Sequence, residues 1–160
     1  MHSTILCVLA LSELFPVGGS SSYVDKMEKV YVDRLGTCIE VANVAEEMGV
    51  SQSLMVSLGF EESRFDGRVI SKANARGPLQ VIPRWGCPKG RVKNCDLVRS
   101  GVAILKRWLK RYKTISKALC HYNSGNKCNK RSRSYARRIL RRQHRLKAQM
   151  KNVSYDFEQE

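Results

Sequence analysis

Between Ser51 and Phe65, apolar side chains fall on nearly every side of a helical projection: Leu54, Met55, Val56, Leu58, Phe60 and Phe65. A helix that is apolar most of the way round lies inside a domain, so this segment is read as the central helix, over 53–65. Ser51 or Ser53 can cap its start with a side-chain oxygen. Two acids close it, Glu61 and Glu62. At about 100° per residue, Glu62 projects between Met55 and Leu58, inside the apolar stripe, while Glu61 falls at its edge. A carboxyl held among apolar groups resists ionisation.

The rest of the chain is arranged around that stretch. Ser20 to Asp25 reads as a polar linker. Residues 26–49 read as helix, in two pieces broken at Gly36, with Cys38, Ile39, Val41, Ala42, Val44, Ala45 and Met48 at helical spacing. Residues 66–83 read as loop and short extended structure. There Gly77-Pro78 precedes a short apolar run, Leu79 to Pro83, with Gln80 inside it. That Gln is either a satisfied core amide or a hydrogen-bonding group facing a cleft. Residues 85–95 form a Gly-, Pro- and Lys-rich surface loop. Asp96 caps a helix over 97–113, whose Val98, Val102, Ile104, Leu105, Trp108 and Leu109 face inward. A further helix starts at 116–121 and ends near Ser124-Gly125; His121 on it reads as exposed and without a role. A polar loop over 125–134 leads to a basic amphipathic helix at 135–150. The acidic residues after Asn152 read as a loose tail. The division expected is an export segment at 1–20, one domain at 21–151 and an acidic flexible tail at 152–160.

Charge and cysteines narrow the setting. The 160 residues suit one domain with a sizeable core. The formal net charge is +15. From Gly67 to Lys151 there are 25 Lys and Arg against one acid, Asp96. Such a field favours a polyanionic partner: nucleic acid, an anionic membrane or a bacterial wall. No zinc-finger spacing, RNA-binding aromatic motif or heptad zipper accompanies the charge. Cys87 and Cys95 can close one small loop and Cys120 and Cys128 another, each worth about 2–3 kcal/mol in the chain-entropy model. Four cysteines allow three connectivities, so this pairing is the favoured one of three. A gap of about seven residues is too wide for a zinc knuckle. Cys38 is left over unless it pairs with Cys7 or with another chain. The opening apolar run, followed by small residues, resembles a secretory signal with cleavage near Gly18 to Ser20, although no Lys or Arg precedes it and Glu13 interrupts it. Disulfides and export agree, since such bonds persist outside the cytosol.

Four short motifs in order add a family resemblance. Glu62-Ser63-Arg64-Phe65 resembles the Glu-Ser-x-Phe motif of the soluble lytic transglycosylases, whose catalytic domain is goose-lysozyme-like. Ala75 to Pro83 is similar to the second motif, Ala-x-Gly-x-x-Gln with an apolar pair and Pro. Ala118 to Gly125 resembles the third, Ala-x-x-x-Tyr-Asn-x-Gly. Tyr135 with Ala136 to Leu140 resembles the fourth, a Tyr opening the last helix. The likeness covers residues from about 40 to 145. Pro78, the cysteines and the heavy basic charge depart from the family pattern, and none of them removes a catalytic group.

The resemblance implies a mainly α, lysozyme-like domain with at most a small β remnant beside the cleft. It implies peptidoglycan glycan strands as substrate, cleaved at the β-1,4 bond between N-acetylmuramic acid and N-acetylglucosamine with 1,6-anhydro ring formation. Glu62 would be the single acid and base. Gln80 would hydrogen-bond the sugar, Tyr122 would reach the catalytic carboxyl or the substrate, and Asn123 would hold its loop. Ser63 would support the helix end, and Tyr135 reads as packing. No cofactor and no metal are implied. The basic helix 135–150 would attach the protein to an anionic wall surface, no specific nucleic acid is expected, and the chain is expected to be a monomer. The setting would be periplasm, envelope, extracellular space or a virion. Three other classes stay open on sequence: a hydrolytic muramidase on the same fold, a basic nucleic-acid-binding protein, and an inactive wall-binding module on a lysozyme scaffold, which the intact Glu62 and Gln80 disfavour.

Overall fold

One buried helix separates two apolar clusters, and the other helices wrap around it. The computed structural model describes residues 2–15 and 21–157. In chain order the helices are α1 His2–Leu11, α2 Ser21–Glu47, α3 Gln52–Ser63, α4 Pro83–Gly86, α5 Leu97–Tyr112, α6 Ile115–Ser124 and α7 Lys130–Phe157. A single 3-10 turn, Pro88–Gly90, follows α4. Among the described residues there are no strands, only isolated bridges joining Arg76 to Ile70 and to Val81. The mainly helical, lysozyme-like architecture and the β remnant match expectation.

Helix α3 is the central element. Ser51 caps it, its Oγ accepting from the Leu54 N–H at 3.4 Å. Every residue from Leu54 to Phe60 is buried. Leu54, Met55 and Leu58 pack with Val41, Leu79, Val102, Leu119 and Ile139 in the first cluster. Val56 and Phe60 pack with Leu6, Leu11, Ala42, Phe65 and Leu146 in the second. A helix with apolar neighbours on both sides needs apolar residues all round, which is the pattern its sequence carries.

Glycines let the 77–81 loop come close. A Cβ on Gly59 of α3 would lie 2.8 Å from the Phe65 ring, and one on Gly101 of α5 would lie 2.6 Å from the Leu79 Cβ. Leu79 is therefore wedged between α3 and α5, and its backbone is fixed with it.

Several boundaries differ from the sequence reading. Helix α2 runs unbroken through Gly36 and begins at Ser21, so the linker read there is helical. One exposed glycine costs a helix only about 1 kcal/mol, which the packed α2 face outweighs. Helix α7 starts at Lys130 because Asn129 and Ser132 cap it reciprocally: Asn129 Oδ1 accepts from the Ser132 N–H at 3.0 Å, and Ser132 Oγ accepts from the Asn129 N–H at 2.9 Å. It continues to Phe157, so residues 152–157 are helical.

The cysteines form three bonds: Cys7–Cys38, Cys87–Cys95 and Cys120–Cys128. The first ties α1 to α2. Leu6, Cys7, Ala10 and Leu11 are all buried in the second cluster. Glu13, just after α1, bonds Arg142 at 2.8 Å and Arg145 at 3.3 Å on α7. The cleavage point read near Gly18 to Ser20 lies outside the described residues, as do 158–160.

Candidate active site

Glu62 occupies the last turn of α3, just before a sharp reversal. Arg64 and Phe65 both adopt left-handed backbone, φ 53° and 63°. Such conformations cost a non-glycine residue about 1–2 kcal/mol each. They return Phe65 beneath Gly59, and the Arg34 guanidinium donates to the Arg64 carbonyl at 3.3 Å. The carboxyl of Glu62 is thereby held at the edge of the core. Burial pushes its pKa from 4.5 up to about 7. A hydrogen bond from Tyr135 pulls it down, and the adjacent Glu61 charge pushes it up further.

Two phenols from different helices surround that carboxyl. The Tyr135 hydroxyl, on α7, donates to Glu62 Oε1. Tyr135 is thus more than packing, and the sequence reading is corrected there. The Tyr122 hydroxyl, on α6, donates to the Leu79 carbonyl at 2.7 Å instead of to Glu62. It remains within electrostatic reach of Glu62. Burial first, and that carboxylate second, raise the pKa of both phenols well above the usual value. Both stay neutral donors at physiological pH.

The 77–81 loop is tied to the end of α3 as well. Ser63 Oγ donates to the Pro78 carbonyl at 2.8 Å, so Ser63 joins the loop to the helix. Gln80 has φ 47°, and its Nε2 donates to the carbonyls of Val69 and Gly77, both at 3.1 Å. Its amide N–H groups therefore brace the loop, while Oε1 has no hydrogen-bond partner among the described residues. Asn123 is exposed, and its side chain makes no hydrogen bond among the described residues that would hold a loop.

Among the described residues, the acids nearest Glu62 in sequence, Glu61 and Asp66, are both engaged by arginines. Asp66 accepts from the Arg68 N–H at 3.0 Å and from Arg68 Nε at 3.3 Å, with Arg34 4.0 Å away. The backbone hydrogen bond, and then the two arginines, hold its pKa below the ordinary value. Glu61 is paired with Arg138, whose Nε lies 2.7 Å and Nη2 2.6 Å from Glu61 Oε1. A cavity of about 690 Å³ opens beside this pair along α7, lined also by Arg141, Arg142, His144 and Arg145; Glu62 itself does not line it.

Sequence reasoning missed Arg138. The signal was present: Tyr135 and Arg138 are three apart on one helix, as neighbours on a single face must be. His121 was misread. It is buried, stacked on Tyr112 at 4.1 Å and on Trp108 at 5.4 Å, with Nδ1 2.6 Å from the Gly125 carbonyl. It is a support at the C-terminus of α6.

No solved structure matches the chain. The family description "Transglycosylase SLT domain" matches residues 40–144, a span from mid-α2 into α7 that takes in Glu62, the 77–81 loop, Tyr122 and Tyr135. Over most of its length, then, the chain belongs to the transglycosylase SLT domain family, whose enzymes act on peptidoglycan.

Proposed function

We propose that the protein is a peptidoglycan lytic transglycosylase in which Glu62 serves first as acid and then as base. The observation that carries this reading is a largely enclosed carboxyl whose pKa burial raises to about 7, while the neighbouring acids Glu61 and Asp66 are both paired with arginines. Most glycosidases that use water or a covalent intermediate carry a second carboxyl, about 5–5.5 Å away in retaining and about 6.5–9.5 Å away in inverting enzymes. Here Asp66 and Glu61 are both committed to arginines. This arrangement supports one acid doing both proton transfers.

With Tyr135 donating to Oε1, the Glu62 proton resides on Oε2. It passes to the oxygen linking N-acetylmuramic acid to N-acetylglucosamine as the muramic C1–O bond breaks. The positive charge left on C1 and the ring oxygen faces the new carboxylate. The muramic 6-hydroxyl then bonds to C1 and gives its proton to Glu62, restoring the acid. No water is consumed, and the product is a 1,6-anhydro sugar. Tyr122 stays neutral, and its bond to Leu79 fixes the 77–81 loop opposite the acid. Gln80 offers Oε1 to a sugar N–H or hydroxyl, and the exposed Asn123 amide is free to meet the strand as well. The basic face of α7 holds the enzyme to the anionic wall. Three disulfides suit action outside the cytoplasm.

The test is product analysis on purified sacculi. Fragments whose muramic ends are lighter by one water are expected from the wild type, and none from Glu62→Gln. Reducing ends without that mass loss would replace this chemistry by hydrolysis. Inert sacculi, together with nucleic-acid binding that survives physiological salt, would replace the enzyme by a binding protein.

A further inference from the structure

Helix α7 grips the end of α3 at two adjacent points. Tyr135 holds Glu62, and one turn later Arg138 holds Glu61 through Nε and Nη2. The two acids are consecutive, so the charge on one works against the charge on the other. Their surroundings separate them: Glu62 is enclosed with a phenol, whereas Glu61 meets a guanidinium at the lip of the α7 cavity. We propose that Arg138 is a positioning residue that pairs with Glu61 and shields Glu62 from its charge, so that the Glu61–Arg138 pair sets the pH at which the enzyme loses its acid.

This rests on Glu62 being the acid. The groups facing Glu62 are few. Helix α3 contributes Glu61, α6 contributes Tyr122 and α7 contributes Tyr135, while Arg138 of α7 reaches the site through Glu61. The loop from Gly77 to Val81 carries no titratable side chain. Both tyrosines are neutral at working pH, since burial and the nearby carboxylate raise their pKa well above the usual value. Glu61 and Arg138 form the ion pair of the set. Removing Arg138 unshields the Glu61 charge, which makes Glu62 keep its proton to higher pH. Removing Glu61 deletes the repulsion and frees the guanidinium, and both changes act the other way. These opposite signs distinguish tuning from a mere tie between helices, whose loss would slow the enzyme without moving its pH profile.

The experiment titrates Glu62 in the full, disulfide-bonded chain by carbon NMR of its carboxyl, alongside kcat/KM against pH on purified glycan strands. Arg138→Gln is expected to move the Glu62 midpoint and the descending limb of activity upward by roughly half a pH unit or more, the scale of one partly screened charge. Glu61→Gln moves both downward, and Arg138→Lys restores the wild-type values. Unchanged midpoints in both Arg138→Gln and Glu61→Gln overturn the proposal. Should Arg138→Gln fail to fold, the downward shift in Glu61→Gln decides it. If the midpoints move as described but the wild type yields no anhydro product, the tuning stands and the enzymatic reading fails.

Discussion

Replacing Glu62 by Gln should stabilise the fold while abolishing turnover, and the gain should depend on pH in a calculable way. In the unfolded chain this carboxyl ionises near 4.5, and in the folded protein near 7. Between those values the folded state binds more protons, so stability falls as pH rises through the interval. A difference of about 2.5 in pKa corresponds to about 3.4 kcal/mol at full effect. The carboxyl is partly reached by solvent, which screens the cost, so about 1–3 kcal/mol is the working figure. Gln keeps an oxygen for the Tyr135 hydroxyl and carries no charge, so it escapes the loss. For a domain of this size each kcal/mol moves Tm by about 2–4 °C. Thermal unfolding followed by circular dichroism should show equal Tm for both proteins at pH 4. At pH 8 the variant should melt several degrees higher. Equal Tm at pH 8, or a lower Tm for the variant, would mean that Glu62 is solvated and ionises normally, and the account of the acid would go with it.

Tyr135→Phe removes the donor that lowers the Glu62 pKa, so the descending limb of the pH–rate profile should move upward. Turnover should drop about tenfold to a hundredfold, the scale of a hydrogen bond to a charged group; an unchanged profile would return Tyr135 to packing. Replacing Cys7 and Cys38 together by Ser opens a loop spanning 31 residues in sequence, with an expected loss of about 3–4 kcal/mol in urea unfolding. Retention on sacculi should fall as salt rises toward roughly molar concentration, where screening acts within about 3 Å. Reversing the exposed Arg141 to Glu should weaken retention at low salt, and retention indifferent to both would remove α7 as the wall-binding face.

The central helix was legible because its apolar residues cover every side, and only burial between two clusters explains that. Asp96 was legible as a cap, and its Oδ1 accepts from the Arg99 N–H at 2.8 Å. The start of α7 was overlooked because the Asn129–Ser132 cap sits inside a run of Lys and Arg that reads as loop. The pairing of Tyr135 with Glu62 joins residues 73 positions apart, and no local pattern encodes which face of α7 meets α3. His121 was misjudged for a related reason. A polar ring beside a basic loop looks solvated until Trp108 and Tyr112, from another helix, are laid against it. The pattern set Glu62 inside the apolar stripe, whereas its partners emerged from tertiary packing.

Helix α1 has a practical consequence for anyone preparing the protein. A recombinant version trimmed to begin at Ser21 would strip Leu6, Cys7, Ala10 and Leu11, and the flanking Leu9, Leu14 and Phe15, from the second cluster and open a greasy trough over Val56, Phe60 and Phe65. Cys38 would become a lone thiol, ready to couple one molecule to the next. Arg142, packed 3.4 Å from the centre of the Phe60 ring, would lose the carboxylate of Glu13 beside it. Clumped, cross-linked material would follow, easily mistaken for an intrinsically insoluble enzyme. Keeping the first twenty residues and folding under oxidising conditions avoids that outcome.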